Sequence, residues 1–327
     1  MFVDLSMKNI ALLFFLFIVS CNSADKVDEK PDEVNAVVPV TVPSLVILGT
    51  IQDAGSPHVG CKKECCRDLW VYPDESRMVV SLGIIDPENK MNWMIEATPD
   101  FPKQMKMLND FSFFSNEPPS GIFLTHAHIG HYTGLMYLGR EGLGSKDVKV
   151  YAMPRMKSYL EKNGPWSQLV ELHNIQLQAI NANEEMVLST NIKITPFLVP
   201  HRDEFSETVG YVIHGPTKKV LFIPDIDKWS KWERSLVEEI AKVDYAFIDG
   251  PFYDAEEMNH RDINEIPHPF VIETMALLEE LPGTEKSKIY LIHFNHTNPL
   301  LNVHSEQTKI VLQKGYSLAQ QGSVFPL

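Results

Sequence analysis

The stretch that most constrains this chain is Leu124-Thr125-His126-Ala127-His128-Ile129-Gly130-His131-Tyr132-Thr133-Gly134-Leu135. An apolar run, Ile122-Phe123-Leu124, delivers three histidines within six positions and then passes into a helix-like segment. Side chains two apart on an extended strand share a face, so the imidazoles of His126 and His128 can reach one cation together. His131 falls beyond the strand and faces the same space from another side. Neutral imidazoles are ligands for zinc, manganese or iron, and a hydrophobic core gives them no reason to gather. A metal centre is the expectation.

The rest of the chain reads as an α/β unit. Short β-rich runs at residues 45–48, 78–85, 92–95, 121–124, 148–152, 191–198, 208–214, 220–223, 245–248 and 288–292 alternate with helix-like stretches at 102–111, 132–140, 155–162, 230–242, 269–281 and 305–314. The last three helices carry apolar residues at three- and four-residue spacing with charges between them. Early paired strands followed by mixed strands and helices predict sheets covered by helices. No internal repeat or second composition shift divides the chain after residue 44, so residues 44–327 are read as one domain. With 44% hydrophobic residues, that span can build a packed core.

The first residues read differently. Lys8 precedes an apolar run over residues 10–19, too short to span a bilayer as a stable anchor. Ser20 and Cys21 follow, and the junction resembles the lipobox of bacterial lipoproteins, in which the cysteine is lipidated. Residues 1–21 are therefore expected to be a lipoprotein signal peptide, with an ordinary secretory signal as the alternative. Residues 22–43 are polar, acidic and punctuated by proline, the composition of a flexible tether. A bacterial cell-envelope location follows, lipid-anchored and facing the periplasm or exterior. The formal net charge of −14 argues against a nucleic-acid partner. It leaves room for a small-molecule substrate bound at a metal ion, whose local charge outweighs the global field.

The histidine segment resembles the Thr-His-x-His-x-Asp-His signature of the metallo-β-lactamase superfamily, and the resemblance runs along the chain. Leu48-Gly49-Thr50 looks like the superfamily's first strand and turn, and Ile95-Glu96-Ala97-Thr98-Pro99-Asp100 like its next strand end. A narrower resemblance, to the coenzyme PQQ synthesis protein B family, is carried by Ala97-Thr98-Pro99-Asp100, Phe247-Ile248-Asp249-Gly250-Pro251-Phe252, His268-Pro269 and Ile292-His293-Phe294-Asn295-His296-Thr297-Asn298-Pro299-Leu300. The superfamily resemblance implies an αββα sandwich, two mixed β-sheets flanked by helices. It implies a first metal held by His126, His128 and His201, with Asp225 as the bridging carboxylate, and a second position drawing on His131, Asp225 and His293. Zinc is the expected ion, one or two per chain, with manganese or iron as alternatives.

One position departs from the signature. Gly130 stands where the superfamily carries the aspartate that binds the second metal, and glycine has no ligand atom in its side chain. The second position is then weak, or is completed by Asp227 or His296. Asp227 also reads as a cap for the following helix, the preferred reading. Asp53 either orients a metal-bound histidine or shapes the turn Gln52-Asp53-Ala54-Gly55. Arg202 and Glu204 touch substrate or are solvated surface charges.

Cys61, Cys65 and Cys66 remain. Three is an odd number, and a vicinal Cys65–Cys66 bridge would be strained. Three thiolates in six residues fit a tetrahedral structural zinc site needing one ligand from elsewhere, with His268 as the best candidate and His260 behind it. The alternative is one disulfide plus a free thiol.

Together these features predict a metal-dependent hydrolase of an ester or phosphodiester, with Asp225 and His296 assisting the chemistry. An iron- and oxygen-dependent redox enzyme is a second reading, from the PQQ-family resemblance. A non-catalytic metal-binding lipoprotein is the third, for which Gly130 is the main support.

Overall fold

The computed structural model describes residues 37–114, 117–258 and 266–327. Cys21, the leader, His260 and all but the last residues of the acidic tether lie outside the described residues. Within the described part of the tether, Val40 is buried and its amide donates to the Phe111 carbonyl at 2.9 Å. No helix among the described residues is long and apolar enough to cross a membrane.

In chain order the elements are β1 (Ser44–Gly49), α1 (Glu64–Arg67), β2 (Ser81–Asp86), β3 (Met91–Ile95), α2 (Phe101–Asp110), β4 (Gly121–Phe123), α3 (Ile129–Tyr132), β5 (Val148–Ala152), α4 (Pro154–Lys162), α5 (Trp166–Glu171), β6 (Ile175–Ala179), β7 (Met186–Val187), β8 (Lys193–Leu198), β9 (Val209–His214), β10 (Lys219–Ile223), α6 (Leu236–Ile240), β11 (Tyr245–Asp249), α7 (Val271–Leu277), α8 (Gly283–Lys286), β12 (Ile289–Ile292), α9 (Glu306–Gln313), β13 (Ser317–Leu318) and β14 (Val324–Pro326).

They form two sheets, ordered β14-β1-β2-β3-β4-β5-β6 and β13-β12-β11-β10-β9-β8-β7. Each is mixed. The first is antiparallel from β14 to β3 and parallel from β3 to β6, and the second is antiparallel from β7 to β10 and parallel from β10 to β13.

Alternation along the strands explains the layering. Leu45 and Ile47 of β1 join Phe123, Phe222 and Phe247 in a cluster shared by both sheets, whereas Val46 and Leu48 face the helices α2, α4 and α5. In the second sheet Val220 and Phe222 point inward, while Leu221 and Ile223 pack against α6, α7 and α9. A strand buried on both faces reads as a continuous apolar run, and residues 44–49 are buried throughout. The result is helix, sheet, sheet, helix, the αββα sandwich expected from the sequence.

Direction matters more than layering for the site. β1, β3, β4, β8, β10, β11 and β12 all deliver their C-terminal ends to one edge of the sandwich. There the two sheets are joined: the Tyr211 hydroxyl donates to the Leu124 carbonyl at 2.5 Å, and the Val209 amide donates to the Thr125 carbonyl at 3.2 Å.

Several elements differ from the sequence reading. The segment 132–140, read as a helix, is the end of the short α3 followed by a 3-10 turn over Thr133–Leu138. The segment 230–242 is likewise broken, into a 3-10 turn at Trp229–Lys231 and α6. Its two indoles explain the break, because the Trp229 N–H donates to the Thr274 hydroxyl at 2.8 Å and the Trp232 N–H to the Leu198 carbonyl at 3.0 Å. Those acceptors sit on different elements, and the chain bends to serve both. The strands β6, β7, β13 and β14 and the short helices α1, α5 and α8 were not anticipated. Most span a turn or less, and in β6 apolar residues alternate with glutamine on a half-buried edge.

Candidate metal centre

Thr125 lies two residues past β4, and the chain bends at Ala127 and His128 before entering α3, whose N-cap is His128. His126 is buried, and its Nδ1 lies 2.9 Å from the Thr125 hydroxyl, which in turn donates to the buried Glu96 carboxylate. With Nδ1 so engaged, Nε2 of His126 presents its lone pair to the cluster. It lies 2.8 Å from His128 Nδ1 and 3.3 Å from Asp225 Oδ2.

Asp225, just past β10, is the hub. Its Oδ2 is 3.2 Å from His201 Nε2 and 3.9 Å from His128 Nδ1, and its Oδ1 is 3.1 Å from His268 Nδ1. Donors about 2.0 Å from a tetrahedral zinc sit roughly 3.3 Å from one another. The spacing among His126, His128, His201 and Asp225 is of that size, and their donor atoms all lie within 4.8 Å of each other. Both ring nitrogens of His201 are buried without a well-formed hydrogen bond. A buried imidazole left so is costly unless a ligand completes it, and this donor set fits a metal ion.

A second group shares Asp225: Asp53, His131, Asp225 and His293. His131 Nε2 is 2.9 Å from Asp53 Oδ1, and its Nδ1 is 3.3 Å from Glu96 Oε1. His293 Nδ1 is 2.9 Å from Asp249 Oδ1, which leaves Nε2 aimed 3.3 Å from Asp53 Oδ1. Carboxylates behind imidazoles hold the tautomer and ring orientation that metal ligation requires. Glu96 and His293 adopt positive φ values of 79° and 67°, strained for non-glycine residues and sustained by this network.

The ionisation pattern follows from the packing. Burial works to raise the carboxyls of Asp225 and Asp53, but the adjoining histidines outweigh it and hold both well below the usual carboxylate range. Burial pulls His126 far down, reinforced by His131. In His268 and His293 burial acts downward too, yet Asp225 and Asp249 lift His268 to about 10, and Asp249 and Asp53 lift His293 to about 9.

Two expected assignments exchange places. His268 does not join the cysteines. The Val271 amide donates to the Phe252 carbonyl at 2.9 Å, and this seats the segment before α7 over the end of β11. There His268 Nδ1 meets Asp249 Oδ2 at 2.9 Å. His296 is not in the histidine cluster and is the histidine grouped with Cys61, Cys65 and Cys66. The chain turns sharply after β12: the Asn295 amide donates to the Pro251 carbonyl at 2.9 Å, and the Gln52 amide donates to the Phe294 carbonyl at 2.9 Å. His296 therefore faces the loop after β1, its ring 4.2 Å from that of His58.

The three thiols are unpaired. Cys61 and Cys65 sulfurs lie 4.0 Å apart and Cys65 and Cys66 sulfurs 3.9 Å apart. Thiolates about 2.3 Å from a tetrahedral zinc stand roughly 3.8 Å apart, so these four residues also fit an ion. Burial and the neighbouring thiols push Cys65 up to about 12, and burial and His58 bring His296 down to about 4.

Asp227 does not complete the second group. Its carboxylate accepts from its neighbour's amide, Lys228, at 2.7 Å and pairs with Lys231 at 2.7 Å. Glu204 is exposed at the mouth, 3.6 Å from His128 Nε2. Asp249 and Glu96 are the residues the sequence reading passed over as site residues. Their signal was an acidic residue at the C-terminal end of an apolar strand run.

A profile of the Beta-lactamase superfamily domain matches residues 92–294. The chain belongs to the beta-lactamase superfamily. Within it, the chain is similar to Coenzyme PQQ synthesis protein B of Methylorubrum extorquens (strain PA1), 22% identical over 305 residues that cover 86% of this chain and 99% of that protein. Among solved structures it is similar to Zn(2+)-bound PqqB from Methylobacterium extorquens, with a TM-score of 0.71, 21% identity and coverage of 87% of this chain and 100% of that one. It is also similar to a diphosphatase from the PhnP family, with a TM-score of 0.60, 20% identity and coverage of 86% and 96%. The superfamily match spans the histidine cluster but ends before His296 and begins after Asp53 and the cysteines.

Proposed function

We propose that this superfamily member is a zinc-dependent hydrolase that cleaves an ester or phosphodiester of a small-molecule substrate. The observation that carries the reading is the convergence of His126, His128, His201 and Asp225 at tetrahedral ligand spacing, on the edge where the C-terminal ends of the strands meet. The zinc-bound PqqB relative and the diphosphatase relative support zinc and hydrolysis respectively. A divalent cation in such a site polarises a carbonyl or phosphoryl oxygen and acidifies a water.

The chain's own residues divide the remaining work. His126, His128 and His201 hold the ion, and His131, Asp225 and His293 flank the second position. Asp225 Oδ1 faces His268, whose imidazole is kept protonated beside the two carboxylates and balances the charge of Asp225. Asp249 and Glu96 keep the rings oriented. Cys61, Cys65, Cys66 and His296 hold a structural zinc that fastens the loop after β1 to the turn after β12. A lipid on Cys21, and with it an envelope location, remains part of the proposal on the sequence pattern alone.

The test pairs metal analysis with turnover. Wild-type protein purified without chelator is expected to retain zinc and to hydrolyse bis(4-nitrophenyl) phosphate or 4-nitrophenyl acetate. The double variant His126→Ala/His128→Ala is expected to lose cluster zinc and at least 100-fold in rate, roughly what loss of a major electrostatic contribution costs. A native protein with no metal at the histidines would sink the reading.

A further inference from the structure

We propose that Asp53, on the loop after β1, supplies the carboxylate ligand of the second metal position in place of the aspartate that the superfamily signature carries at position 130. The proposal rests on reading the histidine cluster as a metal centre and adds a ligand to it.

Gly130 is the first observation. A Cβ on Gly130 would lie 2.4 Å from Asp53 Cα, 2.6 Å from its Cβ and 2.7 Å from its Cγ. Gly130 does not adopt a positive φ, so space and not backbone conformation demands glycine there. The body of Asp53 fills the volume that a side chain at position 130 would take.

The second observation is where the Asp53 carboxylate points. Its Oδ1 is 2.9 Å from His131 Nε2 and 3.3 Å from His293 Nε2, the separations expected between ligands of one ion. With Asp225 these residues form a four-donor group. The group contains two histidines and two carboxylates, the same count and charge that an aspartate at position 130 would have given it.

The third is how firmly the loop is held. The Phe294 amide donates to the Thr50 carbonyl at 2.8 Å, and the Gln52 amide to the Phe294 carbonyl at 2.9 Å. Ile51 bridges both Val79 and Phe294. The residues just before Asp53 are thus tied by backbone hydrogen bonds to the residue that follows His293. A carboxylate lost from one loop is replaced from another that enters the same space.

The experiment is zinc content per chain, measured by mass spectrometry after dialysis against excess zinc and then zinc-free buffer, with anomalous scattering to place each ion. Wild type is expected to carry two ions in the histidine cluster beside the one at the cysteines. Asp53→Ala and Asp53→Asn are expected to carry one fewer, lost from between His131 and His293, with the other ions retained. Asp53→Asn preserves the side-chain shape, so it decides the matter if the alanine variant misfolds. Gly130→Ala, which removes no donor but displaces Asp53, is expected to lose the same ion. Full zinc content in Asp53→Asn, or a single cluster ion in wild type, would overturn the role of Asp53 and leave the first site standing. A wild-type cluster with no zinc would overturn the metal-centre reading along with it.

Discussion

Asp249 gives each of its carboxylate oxygens to a different histidine, one to His293 and the other to His268, each at 2.9 Å. It is fully buried and also accepts the Ile226 amide at 3.3 Å, so removing it strands buried donors with no water to take its place. Asp249→Ala is expected to cost about 2–4 kcal/mol in urea unfolding, on the scale of two unsatisfied buried donors. It should also weaken zinc at the second position by roughly 10- to 100-fold in a competition titration, as loss of an orienting carboxylate does. Asp249→Asn retains one acceptor and should fall between. An unchanged zinc affinity in both variants would show that His293 is oriented by something other than Asp249.

At the scale of elements, the loop between β1 and β2 joins the two groups of metal-ligating residues. It carries Asp53, Cys61, Cys65 and Cys66, and it lies against the turn after β12 that carries His293 and His296. The thiols test this arrangement directly. In metal-replete protein all three are expected to be slow toward a disulfide-exchange reagent and to become reactive once a chelator strips the ion. A disulfide in this loop would instead leave one reactive thiol with or without chelator. Cys66→Ala should remove the ion and, through the shared loop, loosen Asp53 as well. Amide hydrogen exchange over residues 50–66 should rise, whereas that of the buried strand β10 should not.

At the scale of the molecule, the cluster makes stability depend on pH in a way that metal reverses. His268 and His293 are raised to about 10 and about 9 in the fold, against about 6.5 in an unfolded chain. Protons bound more tightly in the fold stabilise it fully below about pH 6.5, and that contribution is lost as the pH rises through 9 and 10. Chelator-treated protein is therefore expected to lose on the order of a few kcal/mol between pH 6.5 and 10. Zinc-loaded protein should lose less over that range, because the ion takes the place of the His293 proton. Equal losses with and without zinc would mean that His293 does not meet an ion.

The part of this protein that its sequence determines is the part built from neighbours along the chain. His126, His128 and His131 sit on one strand-to-helix junction, so their spacing alone puts them near one point. The αββα layering is legible for a related reason: strands buried on both faces, as 44–49 and 220–223 are, must be apolar throughout, and the helices must show the amphipathic period. Asp225, His201 and His293 were legible through the resemblance to the metallo-β-lactamase superfamily, which places a ligand after each of these β-rich runs. What the sequence could not decide was which loop meets which. His268 and His296 are each a short step from a strand end, and the site each one joins depends on how β11 and β12 lie in the sheet and how the chain turns beyond them. Asp53 is separated from His131 and His293 by 78 and 240 positions, and only the β1 loop bridging to Phe294 brings them within reach. Contacts along one strand are set by local geometry, whereas contacts between loops are set by sheet order and packing, which exist only once the whole core has formed.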